Sequence, residues 1–167
     1  MTRTGRAVVA SLIAIVLEFS LFGWNFGGRV SLVLVVLLVS ALLLETKDAV
    51  LLGGISGLLM DLLGGRLLGM HVVTYALLCF FISRLLTHFF RERMFLVVCI
   101  GLGGTLLYYG LSSLWLFVFA PHYLPGLWFL SNVALSTVAN GVLTVLIYPL
   151  VYRLYSCGGS GFWGKAS

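Results

Sequence analysis

Gly53-Gly-Ile-Ser-Gly57-Leu-Leu-Met-Asp61-Leu-Leu-Gly-Gly65-Arg66-Leu-Leu-Gly69, followed closely by Tyr75, is the stretch on which the reading of this chain turns. Asp61 and Arg66 are two of the few charges found away from the polar margins. A carboxylate among aliphatic neighbours loses water and gains no polar partner, so it needs a specific counterpart or a wet edge. Gly53 and Gly57 stand four apart, as do Gly65 and Gly69, and small residues at that spacing let helix backbones approach closely in lipid. The stretch therefore predicts a helical hairpin broken at Gly64-Gly65.

Working outward, the chain has 167 residues, of which 61% are hydrophobic and 9% charged. Soluble domains carry about a quarter charged residues, so this chain cannot cover a water-exposed surface. It reads as a single-domain, all-α integral membrane protein. The formal charge of +5 is scattered between apolar runs with no basic face, which excludes a nucleic-acid binding surface. Cys79, Cys99 and Cys157 have no metal-ligand or CxxC spacing, so redox and metal chemistry are not indicated.

A bilayer core of about 30 Å takes roughly 20 helical residues. On that scale six spans are expected, at about 7–22, 30–44, 49–63, 67–83, 95–119 and 127–152. Together they form one transmembrane domain over 1–155, followed by a flexible Gly/Ser-rich tail at 156–167. The basic start of the chain leads into an apolar run with no small-residue cleavage site, which marks a retained first helix. The second run is almost pure Val and Leu and is expected to be a lipid-facing helix. Glu45-Thr-Lys-Asp48 is expected to be a tight polar turn. The short arms of the third and fourth spans also fit a partly re-entrant hairpin.

Orientation follows from the basic residues. With the N-terminus in the cytoplasm, Arg3, Arg6, Lys47, Arg84, Arg91, Arg93, Arg153 and Lys165 lie inside, and only Arg29 and Arg66 lie outside. Such a bias predicts six spans with both termini cytoplasmic. Phe22, Trp24, Phe26, Trp115, Tyr123 and Trp128 then fall near the outer boundary, where amphipathic rings settle.

Few residues carry chemistry. Asp61 is expected to pair with Arg66 across the Gly-Gly turn; a partner contact is the second reading, and proton transfer ranks last. Glu18 is the other membrane acid, and two acids are too few for a proton relay. Asn132, Ser136, Asn140 and Thr144 recur at four-residue steps and form one slanting polar stripe. Hydrogen bonding between helices is its plain explanation, and lining a ligand cavity is the sharper one. His71, His88 and His122 lack metal-ligand spacing. No nucleophile–base set and no phosphate-binding loop is present, so the chain is read as no enzyme, with no cofactor.

The pattern Gly57-x-Leu59-x-Asp61-Leu-Leu-x-Gly65-x-x-Leu68-Gly69, with Tyr75 on the following apolar helix, resembles the MreD family of the bacterial rod-shape system. Length, span count and the Val/Leu-rich second span extend the resemblance over most of the chain. The family often has Pro-Asp at the start of its second span, where this chain has Arg29-Val-Ser31, and often has Gln near the position of Glu18.

The resemblance implies a non-enzymatic scaffold in the cytoplasmic (inner) membrane. It would bind the single-span protein MreC and help organise peptidoglycan synthesis by the cell-elongation complex. The RodA/penicillin-binding-protein synthase and, indirectly, the MreB filament would be nearby, and no nucleic acid is involved. It also implies a fold like the S component of energy-coupling-factor vitamin transporters. Such a substrate-binding S component is the alternative function, and Ala10-x-x-x-Ala14 looks like the patch by which those proteins dock their membrane partner. In the scaffold reading, Gly57, Asp61, Gly65, Arg66, Gly69 and Tyr75 form the partner-binding or structural motif. Gly57 and Gly69 are expected to receive the partner helix, so that a leucine at either would block association without unfolding the protein.

Overall fold

Long runs of Leu, Val, Ile and Ala with few internal breakers favour the helix, which satisfies every backbone polar group within one segment. The computed structural model describes residues 3–22, 30–64, 69–86, 93–119 and 127–156, and among these every element is helical. The order is α1 (Arg3–Phe22), α2 (Leu32–Leu43), α3 (Thr46–Gly64), α4 (Met70–Phe81), α5 (Arg93–Phe119) and α6 (Leu127–Ser156). A π-helical turn, Ile82–Leu86, prolongs α4. The tail from 157, Gly65 and Arg66 lie outside the described residues.

Two helices, Phe95–Phe119 within α5 and Phe129–Arg153 within α6, are each long and apolar enough to cross a membrane. In contrast, α2 and α4 have 12 residues each. At 1.5 Å per residue each covers only about 18 Å, well short of a hydrocarbon core of about 30 Å.

The helix expected to face lipid is instead the centre of the bundle. Every residue of α2 from Val33 to Ala41 is buried, and α2 touches all five other helices. A helix that is apolar all round belongs inside, because no side of it prefers water. Its neighbours make room: a side chain at Gly104 on α5 would begin 2.5 Å from Leu38 Cδ2. The outward surface is carried by other helices, through Leu51, Ile55 and Leu58 on α3 and Leu135, Val138, Val142 and Leu146 on α6.

The polar turn expected at 45–48 is also shorter in the structure. Thr46, Lys47 and Asp48 are the first turn of α3, which leaves only Leu44 and Glu45 as the link from α2. Asp48 thereby sits at a helix N-terminus, where a negative charge is favoured. There it also accepts a hydrogen bond from Thr4 Oγ1 at 2.9 Å, joining the starts of α1 and α3.

The most extensive pairing of helices is α3 with α4. Its cause is Gly53 and Gly57. A Cβ at Gly57 would lie 2.5 Å from the His71 carbonyl oxygen and 2.6 Å from Val72 Cα, and one at Gly53 would lie 2.7 Å from the Tyr75 oxygen. These are backbone atoms that cannot rotate away. The close approach expected of Gly57 toward a partner helix is thus used inside the protein, against α4.

Candidate functional site

From the Thr4–Asp48 contact, α1 and α3 run side by side to their acids. Glu18 lies 14 residues beyond Thr4 and Asp61 lies 13 beyond Asp48, which at 1.5 Å per residue puts both about 20 Å along the bundle. At that level α2 and α4 begin. Both acids do the same work there.

The first turn of a helix leaves backbone N–H groups without intrahelical acceptors. In α4 no side chain of the preceding residue can supply one. That residue is Gly69, in the left-handed conformation at φ 99°, which glycine adopts without steric cost. Asp61 supplies the acceptors from across the hairpin. Its Oδ2 accepts from Gly69 N at 2.8 Å and, more weakly, from Val72 N at 3.4 Å. Its Oδ1 accepts from His71 N at 3.2 Å and lies 2.7 Å from His71 Nδ1. A carboxylate can only accept, so the imidazole holds its proton on Nδ1. The Asp61 side chain is fully buried, whereas that of His71 is 17% exposed.

In α2 the capping is shared. Ser31 is the N-cap, and its Oγ accepts from Leu34 N at 3.2 Å while donating to Glu18 Oε2 at 3.2 Å. Glu18 Oε2 also accepts from Val33 N at 2.8 Å. The N–H of Ser31 itself donates to Asn140 Oδ1 on α6 at 3.2 Å. Two helices, α1 and α6, therefore meet on the start of the central one.

Tyr75 connects the two caps. It is buried, its ring lies edge-on to His71 at 5.7 Å between centroids, and it packs on Tyr108 of α5 at 5.8 Å. Its hydroxyl interacts with the side chains of Ser31 and Tyr108. The result is one polar cluster, Asp61–His71–Tyr75–Ser31–Glu18, with Asn140 and Tyr108 at its sides.

The residues singled out in the sequence distribute as follows. Asp61, Tyr75, Glu18 and Asn140 come together in the cluster, and Gly69 shapes the start of α4. Ser136 and Thr144 are buried with Asn140 on one face of α6. Thr144 Oγ1 bonds back to the Asn140 carbonyl at 2.6 Å, and its side chain packs where a Cβ at Gly101 would fall, 3.0 Å away. Asn132 is half-buried. The expected partner of Asp61, Arg66, and its neighbour Gly65 lie outside the described residues; both Asp61 oxygens are taken by α4 and His71. In the sequence His71 is only a histidine without metal-ligand spacing, and its contact with Asp61 appears in the structure alone. The usable signal was a helix starting at Gly69-Met-His with no Ser, Thr, Asp or Asn to cap it locally.

This arrangement can fix helix ends and present a partly exposed imidazole. Among the described residues it holds no nucleophile–base–orienter set aimed at a reacting atom. No curated protein and no solved structure matches the chain. The family model described as rod shape-determining protein MreD matches residues 2–157. With that match running over nearly its whole length, the chain belongs to the MreD family of rod shape-determining proteins.

Proposed function

We propose that this chain is a non-enzymatic, multi-pass scaffold of the bacterial inner membrane, with both termini cytoplasmic, that binds MreC and helps organise the peptidoglycan elongation machinery. The observation that carries the reading is how the charged groups are used. Asp61 and Glu18, the two membrane acids, are bound to backbone N–H groups of α4 and α2, as expected of a rigid support rather than of a transport or catalytic path.

A partner helix would then meet the outward sides of α3 and α4, where Leu51, Ile55, Leu58 and Leu62 on α3 and Val73 and Leu77 on α4 are exposed. The RodA/penicillin-binding-protein synthase and the MreB filament would be reached through MreC or alongside it. The transporter alternative loses its motif: Ala14 is buried in the core of the bundle, so Ala10 and Ala14 do not form an exposed docking pair. Affinity purification of the tagged chain from native membranes tests the proposal. A co-eluting MreC protein supports it, and co-eluting transporter ATPase subunits would contradict it.

A further inference from the structure

At the end of the bundle that holds Asp61 and Glu18, the helices stop at two heights. Leu38 of α2 lies against Gly104 of α5. From there α2 reaches its cap, Ser31, in seven residues, whereas α5 runs on for 15, to Phe119. At 1.5 Å per residue α5 overshoots the start of α2 by about 12 Å. The packing of Tyr75 on Tyr108 gives the same comparison for α4. Five residues separate Tyr75 from Met70 and 11 separate Tyr108 from Phe119, an overshoot of about 9 Å. Helix α6 shares it: Asn140 bonds to Ser31, and α6 begins 13 residues earlier, at Leu127. In contrast, α1 and α3 end at Phe22 and Gly64, only four and three residues past Glu18 and Asp61.

The overshooting pair is apolar. Leu114, Phe117, Val118 and Phe119 of α5 and Leu130 of α6 are exposed, and the sequence has no Asp, Glu, Lys or Arg from Met94 to Tyr152. Such a surface offers nothing to water or to a charged partner, and acyl chains suit it. The uncharged run on α5, Met94 to Phe119, extends about 38 Å, while the run on α3, Ala49 to Gly64, extends about 22 Å. The one charge within the α3 run, Asp61, is buried and bound to α4. Arg66 follows two residues after Gly64 in the sequence, a charge that calls for water. A hydrocarbon core of about 30 Å lies between these two lengths. Tilting the whole bundle moves both boundaries together and leaves the difference in place.

We infer that this chain bends the bilayer, so that the leaflet at the Asp61 end is thinner beside α3 and α4 than beside the α5–α6 pair, by about 10 Å. The inference rests on the membrane-spanning scaffold reading above and deepens it. A short apolar flank draws the lipid boundary inward, and a long one pushes it outward. Lipids between the two flanks are strained. A helix packed on the α3–α4 flank relieves that strain, which favours association on that side.

Spin labels on single cysteines, in a background with Cys79, Cys99 and Cys157 replaced by alanine, measure the depths. Leu62 on α3 and Leu114 on α5 are both exposed and stand within about one turn of the same height, that of the α4 start. The full chain, with no partner present, is reconstituted in dioleoylphosphatidylcholine vesicles. Collisions with oxygen and with a water-soluble nickel chelate then report each label's distance from the headgroups. The label at Leu62 should lie at the headgroups and that at Leu114 about 8 Å deeper, five residues short of the α5 end. Monodisperse elution of each variant before reconstitution controls for folding. Equal depths at the two positions overturn the inference, because a flat bilayer then covers both flanks. A label at Leu114 that stands in water overturns it too, because the α5–α6 pair then projects beyond the lipid. Ile55 and Leu106, near the middle of the two runs and exposed, serve as references. If their labels are also in water, the spanning reading itself fails and takes this inference with it.

Discussion

Asp61 on α3 holds the His71 imidazole at 2.7 Å while the same carboxylate accepts the Gly69 and His71 backbone N–H groups at the start of α4. One side chain therefore caps a helix, sets the tautomer of a histidine and ties the two arms of a hairpin. Removing it strands several buried donors at once. Asp61→Ala should destabilise the protein by about 1–3 kcal/mol, the scale found when a buried donor is left unsatisfied. Asp61→Asn, which retains one acceptor oxygen, should lose less. Denaturant or thermal unfolding in detergent measures both.

The partner of Asp61 can be identified by a double-mutant cycle. Asp61 and His71 touch, so their losses should be non-additive by about 0.5–3 kcal/mol. The corresponding cycle with Arg66 should be close to additive, because both Asp61 oxygens are already occupied by α4 and His71. Coupling confined to the Arg66 cycle would reject the capping geometry.

The glycines of α3 should divide by side. Gly57→Ala places a methyl group 2.5 Å from the His71 carbonyl oxygen, and overpacking of this kind costs about 1–3 kcal/mol. Gly54→Ala meets nothing within 4 Å and should be neutral or slightly stabilising. Melting temperatures of the two purified variants, compared with the wild type, check this directly.

The contrast between these glycines also shows how far the sequence could be read. Hydrophobic runs and glycine breaks were enough to place six helices and the α3–α4 hairpin. Burial was harder, because a Val/Leu run is equally suited to lipid and to the inside of a bundle. Only the contacts of α2 with every other helix place it at the centre. Asp61 is an expensive charge in the sequence, and Arg66 is the nearest opposite charge along the chain, whereas backbone donors leave no mark in a sequence. A carboxylate in low dielectric is satisfied as well by N–H groups at a helix start as by a guanidinium. The same holds for Glu18. It has no basic residue in its own span, and its partners are Ser31 and Val33, whose approach depends on how α1 and α2 pack. His71 became legible only once Asp61 was seen beside it.

Topology gives a test independent of the cluster. A reporter fused after Lys165 should be active only in the cytoplasm, and a single cysteine introduced at Tyr123 should react with an impermeant reagent added from outside. Labelling of that cysteine only after lysis would contradict six spans with both ends inside.

Each membrane acid caps one short helix, Asp61 for α4 and Glu18 for α2. Hydrogen exchange of the backbone amides, followed by mass spectrometry on the detergent-solubilised protein, tests it most directly. In Asp61→Ala, peptides covering Gly69 to Val72 should exchange much faster while those covering Ser31 to Leu34 change little. In Glu18→Ala the pattern should reverse. Unchanged exchange at Gly69 to Val72 in Asp61→Ala, or equal acceleration of both helix starts in each variant, would contradict the account.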